Sequence, residues 1–499
     1  MMTNNSKKYH NFILIFTLLV MGIVFYFLLG QEWISIQDDS TFYLNPSSHE
    51  GVMPLYPLFV FCIKMMFGEK IYLSIIVTIQ SALALICTMI FTLCLQKQFR
   101  LKWFEGILLY IACMLPFSIY LPESGITHQI MTEGIAYSLF YIYFLFLIQY
   151  IFSKNNIRIL PVTGVAFILA LTRSQLLFLF IPIALAFVYV QVRKHKTLSR
   201  IKIVLAGLLY LLLGMIAILV LVMSVYKVYG FYVAHQLPVM AKWGQEQEEE
   251  LSKVITETTE TAEKSETKKK EVPDNKVTMS QLTSLVMIRG FYEADEADVD
   301  LFESPEMKEL FLRVYRAVDE KQYRYVYARQ DLYMWKDLIC DRIPNVAYGE
   351  ATQYLQENPQ LELKEIDIIE ELGIKVLLRH FDRYLYHTLR MMISGFISSV
   401  FFQIERIYFL CHMITLVLFA MALGCSAAVI RQKRNAAVAE IMLSVTIYII
   451  MQVTVINVVF FGLQRYMVYA MGIFYCGLYL TVRELFIGFL EKRGRKIEA

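Results

Sequence analysis

Charge is scarce in this chain. Only 18% of its 499 residues are Asp, Glu, Lys or Arg, while 57% are hydrophobic; soluble domains run near ~45–50% apolar and ~25% charged. With a mean hydropathy of +0.50, a cytosolic enzyme and a disordered protein are both excluded. Proline (12) and glycine (22) are few as well, which argues against a loop-rich fold. Cysteine builds no disulfide framework. Cys87, Cys94, Cys113, Cys411, Cys425 and Cys476 lie in apolar stretches, and Cys62 and Cys340 are far apart in the chain. A secreted disulfide scaffold is therefore excluded. There is no internal repeat, heptad run, phosphate-binding glycine loop or metal-type Cys/His cluster.

What the chain has instead is long apolar runs. A run of about 20 such residues satisfies its backbone in lipid only as a helix. The expected fold is therefore an all-α polytopic membrane protein. Candidate spans fall near 12–30, 71–96, 104–121, 134–152, 159–172, 175–192, 203–228, 407–430, 436–460 and 467–486, or about ten in all. The first run, Phe12 to Leu29, lacks a small-residue cleavage site and is expected to be a retained anchor.

Basic residues alternate sides between these runs. Lys7 and Lys8, the group Lys97, Arg100 and Lys102, Lys154 with Arg158, Arg193 to Lys202, Arg431 to Arg434, and the C-terminal tail mark one side. The opposite short loops, 31–50 and 122–133, contain no Lys or Arg. The positive-inside rule then places both termini in the cytoplasm of a multi-pass protein of the cell membrane. Parity keeps two doubtful segments out of the span count. Residues 51–68 are expected as a pair of short helices on the outer face, and 386–403 as an interfacial helix.

The chain thus divides into an N-terminal transmembrane region (1–228) whose first outer loop is 31–70, an extracytoplasmic insertion (229–385), and a C-terminal region (386–499). Within the insertion, 244–280 is dense in Glu, Lys and Thr and is expected to be disordered. Residues 281–385 regain apolar residues at helical spacing, predicting a small helical domain.

The first outer loop carries the acidic pair Asp38-Asp39, followed by Tyr43, Gly51, Pro54-Leu55-Tyr56-Pro57 and a helix ending at Phe67-Gly68. The second has Glu133 at the entry to a span (HQIMTEGIAYSLF). Arg173 stands at the outer end of a span pair (LTRSQLLFLF), and Arg465-Tyr466 at the outer start of the last span. In this order the features resemble the GT-C superfamily of polyprenyl-phosphate-sugar glycosyltransferases, particularly the protein mannosyltransferase and aminoarabinose transferase group. The resemblance covers 1–228 and 386–490. Asp39 departs from the commoner Glu, the PSSHE run is unusual, and 229–385 matches no outer domain of the group.

That resemblance implies inverting transfer of a sugar from a polyprenyl-phosphate donor to a lipid, glycan or protein acceptor on the outer face. Asp38 or Asp39 would be the base. Arg173 and Arg465, with Tyr466, would hold the leaving phosphate, because guanidinium offers a fixed fork of donors. Glu133 and Tyr43 would position the acceptor or a metal. A divalent metal is the one cofactor under consideration, and nothing points to nucleic acid. His380, His387 and Arg390 lie roughly on one face of the interfacial region, where the superfamily has an outer amphipathic helix.

Plain structural roles stand beside these. Arg173, Arg465 and, above all, Lys64 would snorkel to headgroups. Glu133 would be a helix N-terminal acid with Thr132 as cap. Glu440 would be an inner-surface acid. His49 and His128 are single loop histidines, from which no metal ligation is expected. Three other functions remain open at this stage: a transporter or flippase, a polysaccharide polymerase or ligase, and an assembly protein in which Asp38 and Asp39 are dispensable.

Overall fold

The computed structural model describes residues 4–29, 34–36, 40–44, 53–118, 125–153, 155–194, scattered positions between 202 and 224, 288–324, 339, 342–358, 365–402, 407–459 and 464–498. The disordered segment expected at 244–280 lies outside the described residues. Nearly all of those described are helical, and their one β-type pairing is an isolated parallel bridge between Ser35 and Gln129.

The N-terminal region contains α1 (Asn4–Leu29), α2 (Ser40–Leu44), α3 (Leu55–Phe67), α4 (Tyr72–Phe99), α5 (Trp103–Met114), α6 (Thr132–Ser153), α7 (Ile159–Thr172) and α8 (Phe180–Lys194). The segment expected on the extracytoplasmic side, hereafter the outer domain, has α9 (Pro305–Glu320), α10 (Ile343–Glu357) and α11 (Glu365–Arg379). They are followed by α12 (Phe381–Ser398), α13 (Tyr408–Arg431), α14 (Ala436–Val459), the short α15 (Gln464–Met467) and α16 (Met471–Glu498).

Among the described residues six helices are long and apolar enough to cross a membrane: Tyr72–Phe99, Thr132–Ser153, Ser174–Lys194, Phe409–Arg431, Ala436–Val458 and Arg465–Glu491. Shorter apolar stretches at Phe12–Phe25, Trp103–Ser118, Asn156–Thr172 and the described positions of 205–214 coincide with other expected spans. Large apolar side chains stay exposed along these helices, among them Phe16, Ile90, Leu108, Leu416 and Ile450. Such a surface suits lipid and not water.

Packing sorts the spans by depth in the bundle. α6 is the central helix, buried on nearly every side, and packs on α4, α7 and α8. Phe140 on α6 meets Tyr448 of α14 at 4.8 Å and Tyr469 at 5.8 Å, which joins the two halves of the membrane region through aromatic edges. α16 packs on α5, α13 and α14. At Gly472 a Cβ would fall 2.7 Å from the Ala112 carbonyl oxygen and 2.8 Å from Cys113 Cα. Only glycine lets the two backbones approach this closely.

Residues 51–68 differ from expectation. In place of a pair of short helices, α3 is one helix that starts after Pro54 and carries Pro57 in its first turn. The first-turn amides have no intrahelical acceptor, so a proline there breaks nothing. Nor does Lys64 reach for headgroups: it is buried and pairs with Glu69 at 2.6 Å. Near the basic ends of the spans, Arg193 meets Glu440 at 2.8 Å, Arg434 meets Glu484 at 3.0 Å, and Arg483 meets Glu105 at 2.5 Å.

The outer domain has its own core, with Phe291, Phe302, Leu310, Phe311, Ile369 and Leu372 among its members. Ser304 accepts from the Met307 amide (3.1 Å) and Pro305 fills the first helical position, which starts α9. The core extends past residue 385: Met391 of α12 belongs to it.

Candidate active site

The two loops expected on the outer side, one following α1 and one preceding α6, come together. The Ser35 amide donates to the His128 carbonyl (2.9 Å) and the Ile130 amide to the Ser35 carbonyl (3.2 Å). Gln80 of α4 locks this junction from below. Its Nε2 donates to the carbonyls of Thr127 (3.0 Å) and Gln129 (2.9 Å), and its Oε1 accepts from the Tyr56 hydroxyl (2.7 Å). Gly134 leaves the room for that amide, since a Cβ there would sit 2.7 Å from Gln80 Cδ. Tyr43 packs edge-on against Tyr56, ring centroids 5.1 Å apart. Burial pushes the nearby His128 imidazole down, favouring its neutral form.

Beside this junction lies a buried ionic cluster. Glu133, in the first turn of α6, is fully buried. Arg173, in extended conformation between α7 and the tight 3-10 turn Ser174–Leu179, pairs through Nη1 with Glu133 Oε1. Arg465 reaches the same oxygen from α15, with Nε at 3.5 Å. Thr132 donates its hydroxyl to Glu133 Oε2 at 3.0 Å. The Tyr466 ring stands between the cations, 4.7 Å from the Arg173 guanidinium carbon and 5.0 Å from that of Arg465. Its hydroxyl accepts from Arg465 Nη2 at 2.9 Å. The backbone of this segment is held in turn: Tyr137 donates to the Arg465 carbonyl, and Gln452 to the Tyr466 carbonyl.

Residues from three distant parts of the chain therefore converge. Glu133, Arg173, Arg465 and Tyr466 form one cluster, with Tyr43 within electrostatic reach of Arg173. Both arginines turn inward onto a carboxylate, whereas snorkelling would point them outward to headgroups. Glu133 is the helix-start acid its position suggests, and it is also the shared counter-ion. Burial leaves the attraction between these groups weakly screened. Two guanidinium forks held this close together are suited to a phosphate-type anion. Asp38 and Asp39 lie outside the described residues.

Two tyrosines missing from the sequence reading belong here. Tyr469 is buried, its ring is 4.4 Å from that of Tyr137, and its hydroxyl has no hydrogen-bond partner among the described residues. Spacing held the signal: Tyr137 is one helical turn from Glu133, and Tyr469 is three residues beyond Tyr466.

His380 and His387 join a different cluster. His380 Nε2 is 2.7 Å from Asp298 Oδ2, and His387 Nε2 is 2.5 Å from Glu293 Oε1. Arg383 also pairs with Glu293, at 3.1 Å. Burial alone would raise the Glu293 carboxyl, but the hydrogen bonds from His387 and Arg383 outweigh it and hold the group below the usual carboxylate range. Arg390 is half-buried on the same helix. These contacts fasten α12 to the outer domain, around a small cleft lined by Arg289, Glu293, His380, Tyr384 and His387. Among the described residues no group of three His, Cys, Asp or Glu is placed to hold a metal.

No family model, no curated protein and no solved structure matches this chain.

Proposed function

We propose that this chain is an integral membrane glycosyltransferase. It moves a sugar from a polyprenyl-phosphate donor to an acceptor at the extracytoplasmic face, with about ten spans and both termini in the cytoplasm. The reading is carried by one observation: two arginines share a single buried carboxylate at the outer ends of the spans. A donor phosphodiester entering from the lipid would meet two guanidinium groups already held close together by Glu133 and Tyr466.

In this reaction the acceptor hydroxyl oxygen attacks the anomeric carbon from the face opposite the phosphate. The new glycosidic bond forms as the bond from carbon to phosphate oxygen breaks, through an oxocarbenium-like state. Asp38, or Asp39 beside it, accepts the hydroxyl proton. Arg173 and Arg465 balance the charge that builds on the leaving phosphate, while Glu133 and Tyr466 keep the two forks at a fixed separation.

The distribution of charge favours this reading over a transporter, which places ionisable groups near the bilayer midplane. Among the described residues, ion pairs of the spans sit toward one set of helix ends (Glu133 with Arg173 and Arg465) or the other (Arg193 with Glu440, Arg434 with Glu484). Asp38→Asn is expected to abolish sugar transfer while expression and membrane insertion are unchanged. Full transfer by that variant, with Asp39→Asn equally active, overturns the reading.

A further inference from the structure

The outer domain presents an apolar stripe that stays exposed among the described residues. Ile374, Leu378, Phe381, Leu385, Leu389 and Ile393 are each between 41% and 63% exposed. Within each helix they recur at steps of four residues, which places Ile374 and Leu378 on one face of α11 and Phe381, Leu385, Leu389 and Ile393 on one face of α12. The two helices meet at His380, whose amide donates to the Val376 carbonyl (3.1 Å) and whose carbonyl accepts from the Tyr384 amide (2.9 Å). The opposite face of the same two helices is buried: Leu372, Val376 and Met391 belong to the outer-domain core.

We infer that α11 and α12 seat the outer domain on the outer leaflet of the lipid bilayer, with this stripe immersed among the acyl chains. Three observations choose lipid as the occupant. First, α12 is tied at its far end to membrane helices. Thr415 of α13 donates to the Ile397 carbonyl (3.0 Å), Tyr475 of α16 donates to the Val400 carbonyl (2.6 Å), and Gly395 lies against Asn457 of α14. Second, that tie brings the far end of α12 to α13, on which Phe409, Met413, Leu416 and Val417 are exposed in the same way. Third, cations border it: Arg379 and Arg383 are exposed at the helix junction, where they meet anionic headgroups. The stripe stops one turn above Ile374, where Glu371 pairs with Lys375 at 2.7 Å, so α11 leaves the membrane there.

This goes beyond an interfacial helix confined to 386–403. A helix whose other face forms the outer-domain core is itself in lipid, so the domain rides on the bilayer instead of standing above it on a tether. Its distance from the Glu133 cluster is then set by membrane depth.

The test places a nitroxide on Leu378→Cys, Leu385→Cys and Met413→Cys of the full-length protein, with Glu320→Cys of α9 as the aqueous reference. The background replaces the reactive native cysteines, and the protein is reconstituted in phosphatidylcholine–phosphatidylglycerol vesicles. Collision rates with oxygen and with a water-soluble nickel chelate report depth. The expected oxygen-to-nickel ratio at 378 and 385 matches that at 413 and is severalfold above that at 320. A ratio at 378 equal to that at 320 overturns the inference, even if 385 is in lipid. Low collision rates with both reagents at 378 and 385 overturn it too, because a protein partner then covers the stripe.

Discussion

Glu133→Gln tests whether the ionic cluster is a coupled unit. The substitution keeps shape and one acceptor oxygen but removes the carboxylate that pairs with both Arg173 and Arg465. Glu133 is fully buried and Arg173 is 9% exposed, so water replaces little of the lost attraction. Removing one partner of such a pair typically costs about 3–5 kcal/mol, because a buried charge is left uncompensated. Arg173→Gln should cost a similar amount for the same reason. In the double variant both charges are gone and Arg465 is left without its carboxylate. The combined loss should therefore fall short of the summed single losses by at least ~1–2 kcal/mol, within the range seen for contacting residues. Reversible unfolding of the purified protein in mixed SDS–detergent micelles measures all three variants. If the losses add to within about 0.5 kcal/mol, the pair is not coupled. The picture of a shared, weakly screened counter-ion is then wrong.

Gly472→Leu should separate α16 from α5, because the first added carbon already falls within contact distance of the Ala112 carbonyl and Cys113 Cα; overpacking of this kind costs about 1–3 kcal/mol, read in the same titration, and an unchanged midpoint would contradict the close approach. The clasp between α12 and the outer domain should depend on acid pH. The Glu293 carboxyl is held below its ordinary value, so its contribution is fully present above the unfolded carboxylate pKa of about 4.3 and is lost as pH falls through the lower folded value. Limited proteolysis of the outer domain should therefore accelerate as pH drops below about 4, and Glu293→Gln should flatten that dependence. An identical pH profile in the variant would show that another group governs the opening.

Helix placement was largely legible in the sequence, for a direct physical reason. Inside lipid a backbone amide has no partner but its own helix, so hydrophobic run length alone predicts where helices lie. The runs near 71–96, 134–152, 407–430 and 436–460 correspond to α4, α6, α13 and α14. Details set by local stereochemistry were less legible. Pro54 and Pro57 suggested a broken pair, but both fall where α3 tolerates proline. Lys64 suggested an outward-reaching cation, but Glu69 five residues on captures it.

The candidate site divides along the same line. The family resemblance singled out Glu133, Arg173, Arg465 and Tyr466 as separate polar residues at the ends of apolar runs. Their union in one cluster is a property of packing alone. Arg173 and Arg465 are nearly 300 residues apart, and periodicity within a helix says nothing about which helices touch. Tyr137 and Tyr469 carried only the signal of spacing, a turn from Glu133 and from Tyr466, and Gln452 carried none, because an aromatic or amide in a span becomes informative once its neighbours are known. The outer-domain stripe shows the reverse case. Its spacing was present in the sequence, but whether Leu378 faces lipid or the domain core depends on which side of α11 the core occupies. The sequence by itself determined that the chain is a helical membrane protein and where its charges fall along the chain. Tertiary structure decided which of those charges meet, because burial creates a strong ionic interaction only where packing excludes water from both partners at once.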